Sequence, residues 1–185
     1  TALVTPTAST GGEVLQLDAA SLALVRTIVL QHSDKEDGET QGRGIPNYLG
    51  AAVISPDGTQ AYVPSKQDNV KRGTLRDGFT LNFQNTVRAV SSRIDLGANS
   101  EDLASRIDHD NASVASAAVY EPHGVYLFVA LETSREVAVV NAFSHAEAMR
   151  FDVGRAPQGL AISADGLKLY VNNFMDRTVG VYDLA

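Results

Sequence analysis

Three polar stretches carry the residue types that do chemistry. The stretch 'KQDNVKRGTLRDGFTLNFQ' (66–84) holds Lys66, Lys71, Arg72 and Arg76 with Asp68, and sets Phe79 and Phe83 beside them. Cations next to aromatic rings grip anionic groups or stack on bases. The same composition also pins a long loop onto a scaffold through its rings, and that is the use we expect here. The stretch 'QHSDKEDGETQGRGIPN' (31–47) sets Asp34, Glu36, Asp37 and Glu39 against Lys35 and Arg43. Several carboxylate oxygens are what a hard cation such as Ca²⁺ requires. This spacing matches no EF-hand-like motif, however, and a solvated acidic loop is its simpler use. The third stretch, Asp108-His109-Asp110-Asn111, offers hard and borderline metal ligands. Consecutive residues seldom converge on one ion, and Asp and Asn also form turns.

Other chemistries have less support. No serine lies in G-x-S-x-G, no Ser/His/Asp set is suggested by position, and 'GRG' (42–44) lacks the rest of a phosphate-binding loop. The chain has no cysteine, which removes disulfides, thiolate metal sites and C-x-x-C-H haem attachment within its 185 residues. A net charge of -7 opposes phosphate attraction, so no nucleic-acid partner is expected. No apolar run approaches the length of a membrane-spanning helix, so no membrane insertion is expected. Apart from a possible Ca²⁺ ion, no cofactor is expected within these residues.

The positions of the three stretches follow from a repeat. A small apolar segment recurs as 'GAAVIS' (50–55), 'ASAAVY' (115–120) and 'GLAIS' (159–163). A tight turn follows each copy: Pro56-Asp57-Gly58, Pro122-His123-Gly124 and Ala164-Asp165-Gly166. Glycine enters such a turn without a Cβ clash. A second strand reads 'QAYVP' (60–64), 'YLFVA' (126–130) and 'KLYVN' (168–172). A third reads 'NTVRAVS' (85–91), 'REVAVVN' (135–141) and 'RTVGVYD' (177–183), which matches Val87 with Val137 and Val179. The fourth reads 'SRIDLG' (92–97) and 'AMRFDVG' (148–154). The N-terminus enters this template late, as 'ALVTP' (2–6), 'GEVLQLD' (12–18) and 'ALVRTIVL' (23–30).

Four antiparallel strands, a to d, recurring every 40 to 50 residues make the pattern of a β-propeller blade. The expected fold is therefore all-β: a propeller segment of roughly three and a half blades, a partial ring. Residues 1–30 form a partial blade b-c-d, 50–97 and 115–154 form blades, and 159–185 form a partial blade a-b-c. The two ends cannot complete one regular blade, because b and c would be supplied twice. We expect the missing strands to come from the remainder of a parent polypeptide or from another copy of the chain.

'KLYVNNFMDRTVGVYDL' resembles the YVTN-type β-propeller repeat, with Tyr170-Val171-Asn172-Asn173 in the place of Tyr-Val-Thr-Asn and one departure at the third position. 'GRGIPNYLGAAVISPDG', 'VPSKQDNVKRG' and 'LNFQNTVRAVSSRIDL' look like propellers of large secreted bacterial proteins in which a cytochrome-c-like or di-haem-peroxidase-like region follows. That resemblance implies a periplasmic or extracellular bacterial protein. Any haem would lie in a neighbouring region.

In a blade, b–c loops and d–a crossovers share one face of the ring. The long segments 31–49, 65–84 and 98–114 are of these two kinds, so all three are expected on one face. Loops held by a rigid scaffold carry binding residues. The expected function is a non-catalytic scaffold or binding module with a protein partner at that face. The alternative is part of an enzyme, either a haem-linked oxidoreductase or a metal-dependent propeller hydrolase or lactonase.

Overall fold

The computed structural model describes residues 1–6 and 11–185. Each repeat becomes a hairpin because its turn is built to close. Gly58, Gly124 and Gly166 stand at φ 71°, 75° and 74°, where a side chain is strained. In the first and last turns Ser55 and Ser163 donate their hydroxyls to Asp57 and Asp165, each at 2.5 Å. The middle turn exchanges these roles: the Glu121 carboxylate accepts from the amides of His123 (2.7 Å) and Val125 (2.5 Å). His123 is thus a turn residue that needs no acid of its own.

The described residues form sixteen strands in four antiparallel sheets, with three single 3-10 turns. The first sheet is β1 (Ala2–Val4), β2 (Glu13–Leu17) and β3 (Leu24–Val29). The second holds β4 (Ile45–Asn47), β5 (Val53–Ile54), β6 (Gln60–Asp68), β7 (Val87–Asp95), β8 (Ser100–Glu101) and β9 (Ile107–His109). The third is β10 (Ala115–Tyr120), β11 (Tyr126–Leu131), β12 (Glu136–Asn141) and β13 (Ala146–Asp152). The fourth is β14 (Pro157–Ile162), β15 (Lys168–Asn173) and β16 (Thr178–Asp183).

The sheets stack face to face in chain order. Val14, Ile28 and Leu30 of the first meet Ala61, Val63 and Ile94 of the second. Tyr62, Ala89 and Ile107 on the other side of the second meet Leu127, Val129 and Val140 of the third. Phe128, Val137 and Val139 then meet Leu169 and Val171 of the fourth. The inner strands of the third sheet, β11 and β12, therefore bury both of their faces, which is why their apolar runs are nearly continuous.

The second sheet departs from the expected layout. Residues 85–91 and 92–97 do not form separate strands c and d, because β7 runs unbroken from Val87 to Asp95 and pairs along its whole length with β6. Gln60↔Asp95 corresponds to Tyr126↔Asn141 and Lys168↔Asp183, so Ser91 and not Val87 is the counterpart of Val137 and Val179. Ser91 and Ser92 are wholly buried and look like a turn only by residue type. Strand d is instead β8 and β9, inside the segment 98–114 read as a loop. Strand a is likewise split, with β4 pairing the far half of β6 and β5 the near half.

A buried position in such a stack is costly to empty. Leu127→Ala, in a side chain with no exposure, is expected to destabilise the chain by about 2–5 kcal/mol. Leu24→Ala on the open first sheet is expected to cost no more than about 0.5 kcal/mol. Urea unfolding of the two variants beside the parent chain measures both.

Candidate functional site

β6 and β7 are each nine residues long where the matching strands of the third and fourth sheets have six, so they project as an arm. β4 and β9 pair with this arm at Ile45↔Asp68 and Ala89↔His109. The loop 69–86, the entry from 31–44 and the exit at 110–114 thus meet at one end. Of the three segments expected on one face, two lie there as loops. The third is mostly the outer strand.

Irregular backbone at this end needs donors for its buried carbonyls, and two arginines supply them. Arg88 donates to the Asp108 carboxylate, to Gln84 O (2.7 Å), and to Gly38 O and Glu39 O (2.6 and 2.8 Å). Arg106 donates to Gln31 O (2.6 Å), Gln67 Oε1 (2.8 Å) and the fully buried Glu101 carboxylate (2.6 and 2.9 Å). Gln67 in turn donates to Gly42 O at 3.1 Å. A planar guanidinium with five donors suits this task where an ammonium does not. Burial pushes the Asp108 carboxyl above the usual carboxylate range, and Arg88 only partly offsets it.

The loop 69–86 is fixed by its own polar residues. The Asp77 carboxylate accepts from the amides of Gly73 and Phe79, both at 3.1 Å, and from Arg72 at 3.3 Å. Desolvation opposes ionisation, but these donors hold the Asp77 carboxyl below its usual range. Asn82 and Asn85 exchange amide-to-side-chain bonds at 2.8 and 3.1 Å. The Arg72 guanidinium lies 4.8 Å above the Phe79 ring. The rings do not pin the loop down, contrary to expectation. Phe79 is 60 % exposed and Phe83 53 %, with Leu75, Leu81 and Val70 exposed beside them in the same loop. The loop is tied by polar atoms, so its apolar side chains are left pointing outward.

The basic residues divide. Lys66 pairs with Asp68 at 2.9 Å, and Asp68 also accepts from Asn47 at 2.7 Å. Lys71 lies 3.8 Å from Asp34, both well exposed. Arg76 has no ion pair among the described residues, and the cation set against an exposed ring is Arg72.

Neither expected metal set is brought together. Asp108 and His109 are neighbours on a strand and face opposite ways, Asp108 to Arg88 and His109 to Ser91. Asp110 accepts from the Asn111 backbone amide and side chain. Asp37 holds Arg43, Asp34 lies 3.1 Å from His32, and Glu36 is exposed. Among the described residues no group of three or more His, Asp or Glu is placed to hold a metal ion.

A constellation not suggested by the sequence lies between the second and third sheets. Ser91 Oγ and His109 Nε2 are 2.9 Å apart, and His109 Nδ1 is 3.4 Å from Glu147 Oε2. The order of atoms is that of a nucleophile, base and orienting acid. Ser91 is fully buried and His109 is 1 % exposed, so no substrate reaches the hydroxyl and the set serves as a link between sheets. Its residues come from β7, β9 and β13, far apart in the chain, and no local spacing signals it. A second link is the Tyr62 hydroxyl at 2.8 Å from His145 Nδ1.

No family model and no curated protein sequence matches the chain. Solved structures do. The chain is similar to hydrazine synthase of Kuenenia stuttgartiensis at 14 % identity and TM-score 0.75, over 99 % of this chain and 55 % of that one. It is also similar to the WD40 repeats of RRP9 at 16 % identity and TM-score 0.54, over 84 % of this chain and 41 % of that one. The fold is that of a β-propeller. The chain spans about half the length of the solved structures it matches.

Two outcomes follow from the buried polar groups. Arg106→Met removes the cation from the buried Glu101 carboxylate, leaving it the Gln31 amide at 2.5 Å, and is expected to cost about 3–5 kcal/mol, with part recovered in R106M/E101M; thermal unfolding of the pair reads both. Burial, with Arg93 nearby, holds the His145 imidazole below its ordinary value, and burial with Lys71 does the same to His32. The unfolded chain therefore takes up protons first as pH falls through about 6.5. Stability is expected to drop between pH 7.5 and 5.5. The drop shrinks in His145→Asn, whose side chain suits the φ of 56° there; urea midpoints across that range measure it.

Proposed function

We propose that this chain is a non-catalytic binding and scaffold module, and that it captures a protein partner through the loop 69–86. The observation that carries this is an ordered loop with Phe79, Phe83 and Leu81 more than half exposed while polar bonds hold its backbone. Aromatic side chains beside arginine, held rigid, are the anchors of protein interfaces, and an exposed apolar cluster marks a contact surface. Lys71 and Arg76 in the same loop, with Arg72 over Phe79, suit a partner whose apolar patch has an acidic border.

The partners extend to further propeller sheets. Tyr170, Val179 and Val181 on the fourth sheet are 36, 63 and 56 % exposed, whereas their counterparts Phe128, Val137 and Val139 are covered to 5, 0 and 8 % by the next sheet. The remainder of a parent polypeptide or another copy would supply that cover. In keeping with the YVTN-like repeat, we place the chain in a larger secreted bacterial protein, periplasmic or extracellular.

The test is site-specific. A photo-crosslinking residue at position 79, in the parent polypeptide expressed in its own host, is expected to give a discrete protein adduct. Phe79→Ser with Phe83→Ser, at unchanged thermal stability, is expected to weaken that partner's binding at least about 30-fold, the scale of two anchor residues. An identical adduct from a crosslinker at Leu24, on the open first sheet, would overturn the assignment.

A further inference from the structure

A cavity of about 390 Å³ lies where the leading segments of three sheets meet. It is lined by Tyr48, Leu49 and Gly50 from the link between β4 and β5, by Ser116 of β10 and Glu132 just after β11, and by Gln158 of β14. Neither end of the chain lines it, and nor does the loop 69–86. Main-chain bonds pin its walls. Asn47 pairs with Lys66, the Gly50 amide donates to Pro64 O at 2.8 Å, and the Glu132 amide donates to Val114 O at 3.0 Å.

Tyr48 is the residue here that core packing does not explain. It stands at φ 50°, in the left-handed region, and is 70 % exposed. An aromatic residue rarely takes that conformation, and strain of this kind collects at ligand sites. The ring buries little in return for it. It stays at the cavity because the backbone is held on both sides of it.

The polar atoms offered to this cavity are mostly acceptors. Ser116 spends its hydroxyl hydrogen on Pro157 O at 2.6 Å, and its lone pairs remain. Gln158 donates one amide hydrogen to Glu132 Oε1 at 3.2 Å. Among the described residues Glu132 makes no ion pair, and neither its Oε2 nor Gln158 Oε1 accepts a hydrogen bond. The unpaired carboxylate repels an anion. No group of three or more His, Asp or Glu converges on a metal ion among the described residues. What suits an unpaired carboxylate beside an open aromatic ring is a cation that carries N–H donors.

We infer that this cavity receives a guanidinium group, stacked on the Tyr48 ring and donating to the Glu132 carboxylate. A planar guanidinium lays one face on the ring while its edge presents paired N–H groups to the carboxylate, a combination that an ammonium cannot make. Its remaining donors meet Gln158 Oε1 and the Ser116 hydroxyl oxygen. The molecule contains the same arrangement within itself: Arg72 lies 4.8 Å above the Phe79 ring and donates to Asp77 at 3.3 Å. At Tyr48 and Glu132 the ring and the carboxylate are present and the cation is left to a ligand.

The probe is the blocked tripeptide acetyl-Gly-Arg-Gly-amide, titrated into the isotope-labelled 185-residue chain at about 150 mM salt, where diffuse attraction is screened. Amide chemical shifts report binding. Saturable shifts at Gly50, Ser116, Glu132 and Gln158 are expected below about 10 mM. Affinity is expected to fall at least about tenfold in Glu132→Gln and about threefold in Tyr48→Asn, whose side chain tolerates that φ. Unchanged shifts elsewhere show that both variants keep the fold. The citrulline tripeptide, neutral and of the same shape, is expected not to bind. Tighter binding of the tripeptide than of methylguanidinium marks the ligand as an arginine of a polypeptide, and equal binding marks it as a small free guanidine. Failure to saturate overturns the inference, and so does equal binding of the citrulline tripeptide. Shifts spread equally over the acidic turns at Asp18, Asp57 and Asp165 overturn it too, since they report only the net charge of -7.

Discussion

Burial of both sheet faces is the constraint on which the rest depends. Leu127 and Val129 face one neighbour while Phe128, between them in sequence, faces the other. A sheet of this kind has no stable existence alone, because either face left in water exposes a row of apolar side chains. The stack, the short turns between strands and the near-absence of helix all follow. Close approach is needed as well: a Cβ on Gly50 would lie 2.5 Å from Ser116 O, and Ser116 Oγ donates to Pro157 O at 2.6 Å. The leading strands of successive sheets are thereby locked at the same level.

The third sheet is legible in the sequence because its inner strands obey this constraint with hydrocarbon alone. 'YLFVAL' and 'EVAVVN' are strands on sight, and β11 and β12 fall where they are read. The second sheet satisfies the same constraint with polar atoms. Gln67, Arg88, Ser91, Ser92 and Glu101 are all buried in it. Hydrophobic matching therefore slid the register by four residues, setting Val87 where Ser91 belongs, and β9 was hidden in a segment that reads as turn-forming Asp and Asn. Periodicity registers apolar atoms; it is blind to a guanidinium that satisfies four oxygens at once.

The same blindness limited the site. Basic and aromatic residues at 66–84 were visible as a cluster, and the long loop was visible as a loop. The direction of the rings was not, because it depends on Arg88 and Asp77 having already fixed the backbone by polar bonds. The Ser91, His109 and Glu147 link was out of reach for a different reason. It joins two sheets, and only the stacking brings its three residues together.

The loop 69–86 leaves and rejoins the fold across a single paired point, Asp68↔Val87, with the Asn69 amide donating to Thr86 O just beyond it. Inward of that point is ladder, and outward of it the loop meets the rest of the fold through polar contacts such as Arg88 to Gln84 O and Lys71 to Asp34. None of the three apolar clusters that join the sheets contains a residue of this loop. A change in the length or type of its exposed residues therefore leaves the core that carries it in place.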